Sequence, residues 1–206
     1  MISLEELMKT GQLASGTTTL AVKAEDAVIM ATESQATAGY LIATKNAQKL
    51  FKISDHVGAT ISGGVADCQY IIDQARALAR LKHIETGKES TLKYITNVIR
   101  NLLFQGRSFF LSMMLVAGYD VGEKAFKIYG VDLIGSLFEE EDYLSFGSGS
   151  TYALGVLEAG YQKGMSTDEV VELAKRAVTA AKERDIASGS KIQLAVISKD
   201  GYNQVL

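Results

Sequence analysis

The stretch GTTTLAVKAEDAVIMATES, residues 16–34, decides the fold. Thr18, Leu20 and Val22 alternate with Thr17, Thr19 and Ala21, and that period of two predicts a β-strand. KAED (23–26) reads as a turn, and AVIMATE (27–33) is β-branched and apolar enough to be the partner strand. What comes before Gly16 does not share the pattern. Residues 1–16, MISLEELMKTGQLASG, are polar, with Glu5, Glu6 and Lys9 breaking any apolar run, so they are not a secretory signal. The join between this leader and the first strand is a glycine followed by three threonines, Gly16-Thr17-Thr18-Thr19.

Further along, KLFKI (49–53) and VGATISGG (57–64) predict a second strand pair, so the chain starts as an antiparallel meander. Two helices follow. In residues 67–87, Cys68, Ile71, Ile72, Ala75, Leu78 and Ala79 share one face, with Asp67 as cap and Gly87 as stop. In residues 90–106, Leu92, Ile95, Ile99, Leu102 and Leu103 repeat that arrangement behind a Ser90 cap. Strands return at 112–120, 124–132 and 142–149. Residues 150–164 predict a helix stopping at Gly164, and residues 166–185 one opened by Ser166 and Glu169 at capping-box spacing. KIQLAVISKDGY (191–202) closes as a strand pair. Strands and helices come in blocks, which argues against a doubly wound parallel sheet. The pattern predicts an α+β fold, a four-layer αββα sandwich of two antiparallel sheets flanked by helix pairs.

Composition narrows the function classes. A chain of 206 residues that is 47% hydrophobic and 22% charged suits one domain. A net charge of −3 gives no electrostatic basis for binding nucleic acid or an anionic membrane. One cysteine, Cys68, rules out an internal disulfide, and with only His56 and His83 beside it a Cys/His zinc site is poorly supported. No run reaches transmembrane length. The expectation is a soluble cytoplasmic protein with no cofactor.

Several motifs could carry chemistry. FGSGST (146–151) lies between a strand and a helix, but it lacks the P-loop lysine, so it reads first as a tight turn. S-x-x-K occurs twice, at Ser90–Lys93 and Ser188–Lys191, and is weak by itself. On a strand, Lys49 would share a face with Phe51 and Ile53, where its ammonium is desolvated. A threonine hydroxyl is a weak nucleophile, but a free α-amino group on the same residue can act as its base. Thr17 would have that amine only if the Gly16–Thr17 bond were cut.

Taken together, GTTTLAVKAEDAVIMATES, ATAGYLIATKNAQKLFKI (36–53), TISGGVAD (60–67), FGSGSTYALGVLE (146–158) and AAKERDIASGSKIQLAVISKDGY (180–202) resemble the β subunit of the archaeal-type 20S proteasome, from Gly16 onward and in order. That family belongs to the N-terminal nucleophile hydrolases, whose αββα sandwich agrees with the element order above. The resemblance implies that residues 1–16 are a propeptide and residues 17–206 the catalytic domain of a threonine endopeptidase. It implies that Thr17 is the nucleophile, that Glu33 holds Lys49 in an ion pair, and that Lys49 lowers the pKa at Thr17. The Gly63 N–H would be the oxyanion donor, and Ser148, Asp185 and Ser188 would orient the Thr17 amine and hydroxyl. Ala36, Ala47, Phe51, Ile61 and Val65 would line an apolar pocket, so cleavage is expected after hydrophobic residues.

One position departs from the family pattern. Gln35 stands where Arg is usual, and loss of that cation is expected to favour protonated Lys49. The resemblance also implies partners: α subunits and other β subunits in stacked heptameric rings, a regulatory ATPase, and unfolded polypeptides as substrates. Two rival readings share the fold, a non-catalytic β-type ring subunit and the bacterial two-ring threonine protease. The site residues argue against the first and the match around AAKERDIASG against the second.

Overall fold

The structure, a computed structural model, describes residues 16–39 and 41–206. The leader's residues 1–15, and Tyr40, lie outside the described residues. The first hairpin forms as its alternation predicts. Strand β1 (Thr19–Lys23) pairs antiparallel with β2 (Ala27–Glu33), Thr19 facing Thr32 and Lys23 facing Val28. The alternation separates two buried faces rather than an apolar face from a polar one. Leu20, Val22, Ile29 and Ala31 face a helix layer, while Ala21, Val28 and Met30 face the other sheet. Both faces are therefore buried, and every residue of β2 is too. Each fully buried Leu, Ile or Met contributes about 1.5–3 kcal/mol relative to exposure.

The predicted meander does not continue in one sheet. After a small hairpin of β3 (Ala36–Ala38) and β4 (Leu41–Thr44), the chain crosses over to start a second sheet. That sheet runs β5 (Leu50–Lys52), β6 (Val57–Gly63), β7 (Ser112–Asp120), β8 (Ala125–Val131) and β9 (Leu137–Glu140), with β5 at one edge. The first sheet is completed by β10 (Tyr143–Phe146), β11 (Ile192–Ser198) and β12 (Gly201–Gln204) in the order β10-β1-β2-β11-β12. Among the described residues every pairing is antiparallel.

Helices α1 (Val65–Thr86) and α2 (Leu92–Gln105) cover the outer face of the second sheet. Ile71, Ile72, Ile95 and Ile99 pack there on Ala59, Ile61, Met114 and Val116. Helices α3 (Ser150–Gly160) and α4 (Thr167–Arg184) cover the first sheet through Leu157, Val170, Leu173 and Ala177. The inner faces meet through Ala21, Met30 and Ala195 against Leu50, Leu115 and Ile128. The result is the four-layer αββα sandwich expected.

Local boundaries differ from the pattern in places, each for a physical reason. Helix α1 starts at Val65, three residues before Cys68 opens its apolar stripe, and Gly64 is its N-cap. The Asp67 carboxylate instead accepts the Leu111 N–H at 3.0 Å. Thr91, not Ser90, caps α2 by accepting the Tyr94 N–H, while Ser90 donates to the Ala79 carbonyl at 2.9 Å. Helix α3 stops at Gly160 rather than Gly164, with Tyr161 as its C-cap. The Ser166–Glu169 capping box on α4 forms as predicted. Strands β4 and β9 are exposed along their whole length, so they carry no inward-facing alternation to read.

The ends of three connections are tied by His56. Its Nδ1 lies 2.6 Å from Glu89 Oε2 and its Nε2 lies 3.0 Å from the Lys199 carbonyl. An ionised Glu89 and the carbonyl both accept, so the site favours the imidazole with both ring nitrogens protonated. Burial lowers the His56 pKa, but the bonds to Glu89 and to the Lys199 carbonyl outweigh it and hold the pKa above its usual 6.5. A raised folded-state pKa gives stability that is present below the unfolded value and lost as pH rises through the folded one. Glu89→Gln is therefore expected to lower the melting temperature most at about pH 6, with the gap narrowing by about pH 9. Parallel thermal scans would show this, and a gap that widens with pH would contradict it.

Candidate active site

Thr17 lies two residues ahead of β1, so the edge of the sandwich between the two sheets presents its side chain. It is 2% exposed. Its hydroxyl donates to Glu33 Oε1 at 2.9 Å. Glu33, the last residue of β2, is fully buried. Lys49, just ahead of β5 in the opposite sheet, reaches across so that Nζ touches both Thr17 Oγ1 and Glu33 Oε1. Nucleophile and carboxylate thus come from one sheet and the ammonium from the other.

The rest of the Glu33 carboxylate is occupied. Oε2 accepts the Gln35 N–H at 2.6 Å and the Gly189 N–H at 3.1 Å. Burial lowers the Lys49 pKa below that of an ordinary lysine, against the opposing attraction of Glu33 and Asp185. A lysine so placed holds its proton less tightly and can exchange it with the threonine hydroxyl it touches. Gln35, at the position where the resemblance expects Arg, is 6% exposed and its Nε2 donates to the Ile186 carbonyl at 3.1 Å. It therefore fastens Glu33 to the loop after α4 through uncharged donors.

A second network approaches Thr17 from its nitrogen. The Thr17 N–H donates to Ser148 Oγ at 3.1 Å, and Ser148 Oγ donates to Asp185 Oδ2 at 2.5 Å. Ser188 Oγ also donates to Asp185 Oδ2, at 2.6 Å. With that proton committed, the Thr18 hydroxyl is the donor in its 2.6 Å contact with Ser188 Oγ. Asp185 is the C-cap of α4, and Ser148 lies in the loop before α3, so the two helices of one layer set this network. The FGSGST segment can lie this close only because of its glycines. Gly147 has φ +98, and a Cβ there would fall 2.1 Å from the Thr17 carbonyl oxygen.

Gly16 is constrained still more tightly. A Cβ at this position would lie 1.9 Å from Ala187 Cβ and 2.5 Å from Ser148 Oγ. No real side chain tolerates such contacts, so the residue ahead of Thr17 has to be glycine for the chain to lie as it does.

A cleft opens at Thr17, lined by Gly16, Lys49 and Gly63 together with Ala36, Ile61 and Val65. Gly63 ends β6 with φ +123. The cleft has about 20 Å³ of accessible space, room for one water. The other two pocket candidates stand back from this lining. Phe51 is in the core beneath α1 and α2, with the Arg76 guanidinium 5.4 Å from its ring centre. Ala47 is held by its N–H to the Ser34 carbonyl at 2.8 Å. Of the two S-x-x-K matches, Ser188 joins the network, whereas Ser90 donates to the Ala79 carbonyl of α1.

Sequence reasoning did not single out Thr18, Thr37 or Gly189. Thr37 lines the cleft, and Thr18 and Gly189 complete the two networks. Only their neighbours in the sequence, Thr17, Ala36 and Ser188, hint at them. A larger groove of about 590 Å³ lies between α1 and the β5–β6 turn, lined by Lys52, Arg76, Arg80 and Glu89 among others, and holds none of the predicted site residues.

The family model described as proteasome subunit matches residues 13–197. The chain is 43% identical over 187 residues to the proteasome subunit beta of Methanocaldococcus jannaschii, covering 90% of this chain and 83% of that one. It is 42% identical over 192 residues to that of Methanoregula boonei, covering 93% and 89%. With that of Methanococcus maripaludis it shares 39% over 204 residues, covering 98% and 92%. The match runs through both sheets and through every segment that meets at Thr17, and on that ground the chain belongs to the proteasome subunit family.

Proposed function

We propose that this chain is the catalytic β subunit of a 20S-type proteasome core, a threonine endopeptidase that cuts unfolded polypeptides in the cytoplasm. One observation carries the reading. A buried threonine hydroxyl touches a lysine of lowered pKa and a carboxylate, while its nitrogen is held by a serine–aspartate pair. A subunit with a purely structural role has no need of that arrangement.

The first reaction is on the chain itself. Thr17 Oγ attacks the Gly16 carbonyl carbon, and the acyl group moves from nitrogen to oxygen. Water then hydrolyses the ester, leaving a Gly16 carboxylate and a free Thr17 amine. Loss of Gly16 also removes one wall of the narrow cleft. The new amine has a pKa of about 7.7–8.0 in model peptides, so near neutral pH it can accept the hydroxyl proton. In peptide cleavage Thr17 Oγ then attacks the substrate carbonyl, and the proton passes through the amine to the departing substrate nitrogen. The Gly63 N–H stabilises the oxyanion, a type of contact whose removal typically costs about 10²–10³ in rate. Water releases the acyl ester and regenerates Thr17.

Ala36, Ile61 and Val65 make the cleft wall apolar, which favours hydrophobic side chains before the cut bond. Ala47 and Phe51 are not part of that lining. No metal or organic cofactor enters this chemistry. The working particle would need α subunits, further β subunits in stacked heptameric rings and a regulatory ATPase to feed it.

Thr17→Ala is expected to keep residues 1–16 attached and to abolish peptide hydrolysis by the assembled particle. Hydrolysis at the unaltered rate would remove Thr17 from the mechanism. Gly16→Ala is expected to slow maturation, because its Cβ must displace Ala187 or the scissile carbonyl. Mass spectrometry over a time course should show uncut chain accumulating, and maturation at the wild-type rate would contradict the steric account.

A further inference from the structure

Lys49 must be delivered to Thr17 from a poor platform. Strand β5 has three residues, stands at the edge of its sheet and, among the described residues, pairs only with β6. On the β6 side the Lys49 carbonyl accepts the Ile61 N–H at 3.1 Å. On the other side the ladder ends, although Lys49 and Leu50 are buried and their backbone groups need partners.

Gln193 supplies them. It sits on β11 in the opposite sheet, across from Thr32 and next to Ile192, which faces Glu33. Its Oε1 accepts the Lys49 N–H at 2.9 Å and the Leu50 N–H at 3.1 Å. Its Nε2 donates to the Ala47 carbonyl at 2.7 Å. The amide acts as a single peptide unit of a missing strand. Two N–H groups face its oxygen and a carbonyl faces its NH₂, so the reverse orientation of the amide would break all three bonds. One side chain therefore ties the sheet bearing Thr17 and Glu33 to the strand bearing Lys49.

We propose that Gln193 is the positioning residue for Lys49. It fixes the lysine's backbone from the side that β6 leaves open, so that Nζ arrives at Thr17 Oγ1. A shift at the lysine backbone is carried to the end of a flexible side chain, and a misplacement of about 1 Å can cost about 10²-fold in rate. This inference rests on the catalytic reading of Thr17 given above.

The test uses the assembled particle with its α subunits, a fluorogenic peptide, and a β-lactone probe that acylates Thr17 and counts mature sites. The wild-type particle must first label at Thr17. Failure there would overturn the catalytic reading itself, not only the role of Gln193. Gln193→Met keeps the volume and removes the amide. It is expected to lower kcat per labelled site about ten- to a hundredfold, with KM within about twofold. Gln193→Glu keeps an oxygen for both N–H groups and is expected to fall between Met and wild type. If Gln193→Met stalls maturation in an assembled particle of unchanged melting temperature, that also supports the proposal, because the same Thr17 and Lys49 make the cut. Wild-type kcat per site in Gln193→Met would overturn it. So would a Glu variant no better than Met, or losses that only track the melting temperature.

Discussion

The contact of the Lys49 ammonium with Glu33 and Thr17 is the constraint on which the rest of the structure depends. A buried charge is costly unless a partner and hydrogen bonds offset the lost water. Here the partners come from opposite sheets, so the sandwich must hold the two at a fixed spacing. Between the sheets, small residues such as Ala21, Ala117 and Ala195 pack among larger ones such as Met30, Leu50, Leu115 and Ile128. The outer faces meet the helix layers, where Leu20 and Ile29 on one side and Ile61 and Met114 on the other anchor the packing.

Around that contact each polar group has a defined task. Glu33 uses one oxygen for the lysine and threonine and the other for two backbone N–H groups, so its charge is pinned from both ends. Asp185 gathers Ser148 and Ser188, and through them reaches the nitrogen of Thr17 and the hydroxyl of Thr18. The two networks meet at one residue, one at its oxygen and one at its nitrogen. That division matches a nucleophile whose own amine becomes its base. Gln35 fits the same scheme without a charge, since its backbone and side chain bind the carboxylate and the neighbouring loop.

Much of the fold was legible because its signals are local. The hairpin of β1 and β2, the helical stripes and the Ser166–Glu169 box each depend on residues a few positions apart. Strands β4 and β9 were not legible, because a fully exposed strand has no buried face to impose a period. The jump from one sheet to the other after β4 also leaves no local trace. Within the site, Lys49 betrayed itself as a cation among apolar neighbours, and Thr17 by its place after glycine. Glu33, Ser148, Asp185 and Ser188 have ordinary local surroundings, and only the family resemblance drew them together. Gln193 had neither signal: one glutamine in an apolar strand looks like any other until the opposing sheet is in place.

The central claim is that Thr17 becomes an N-terminal nucleophile. Intact-mass measurement of the assembled particle, before and after reaction with an acylating β-lactone, tests it most directly. The account predicts a chain beginning at Thr17 that gains one adduct, located on that residue by fragmentation. A chain that keeps residues 1–16 and gains no adduct would contradict it.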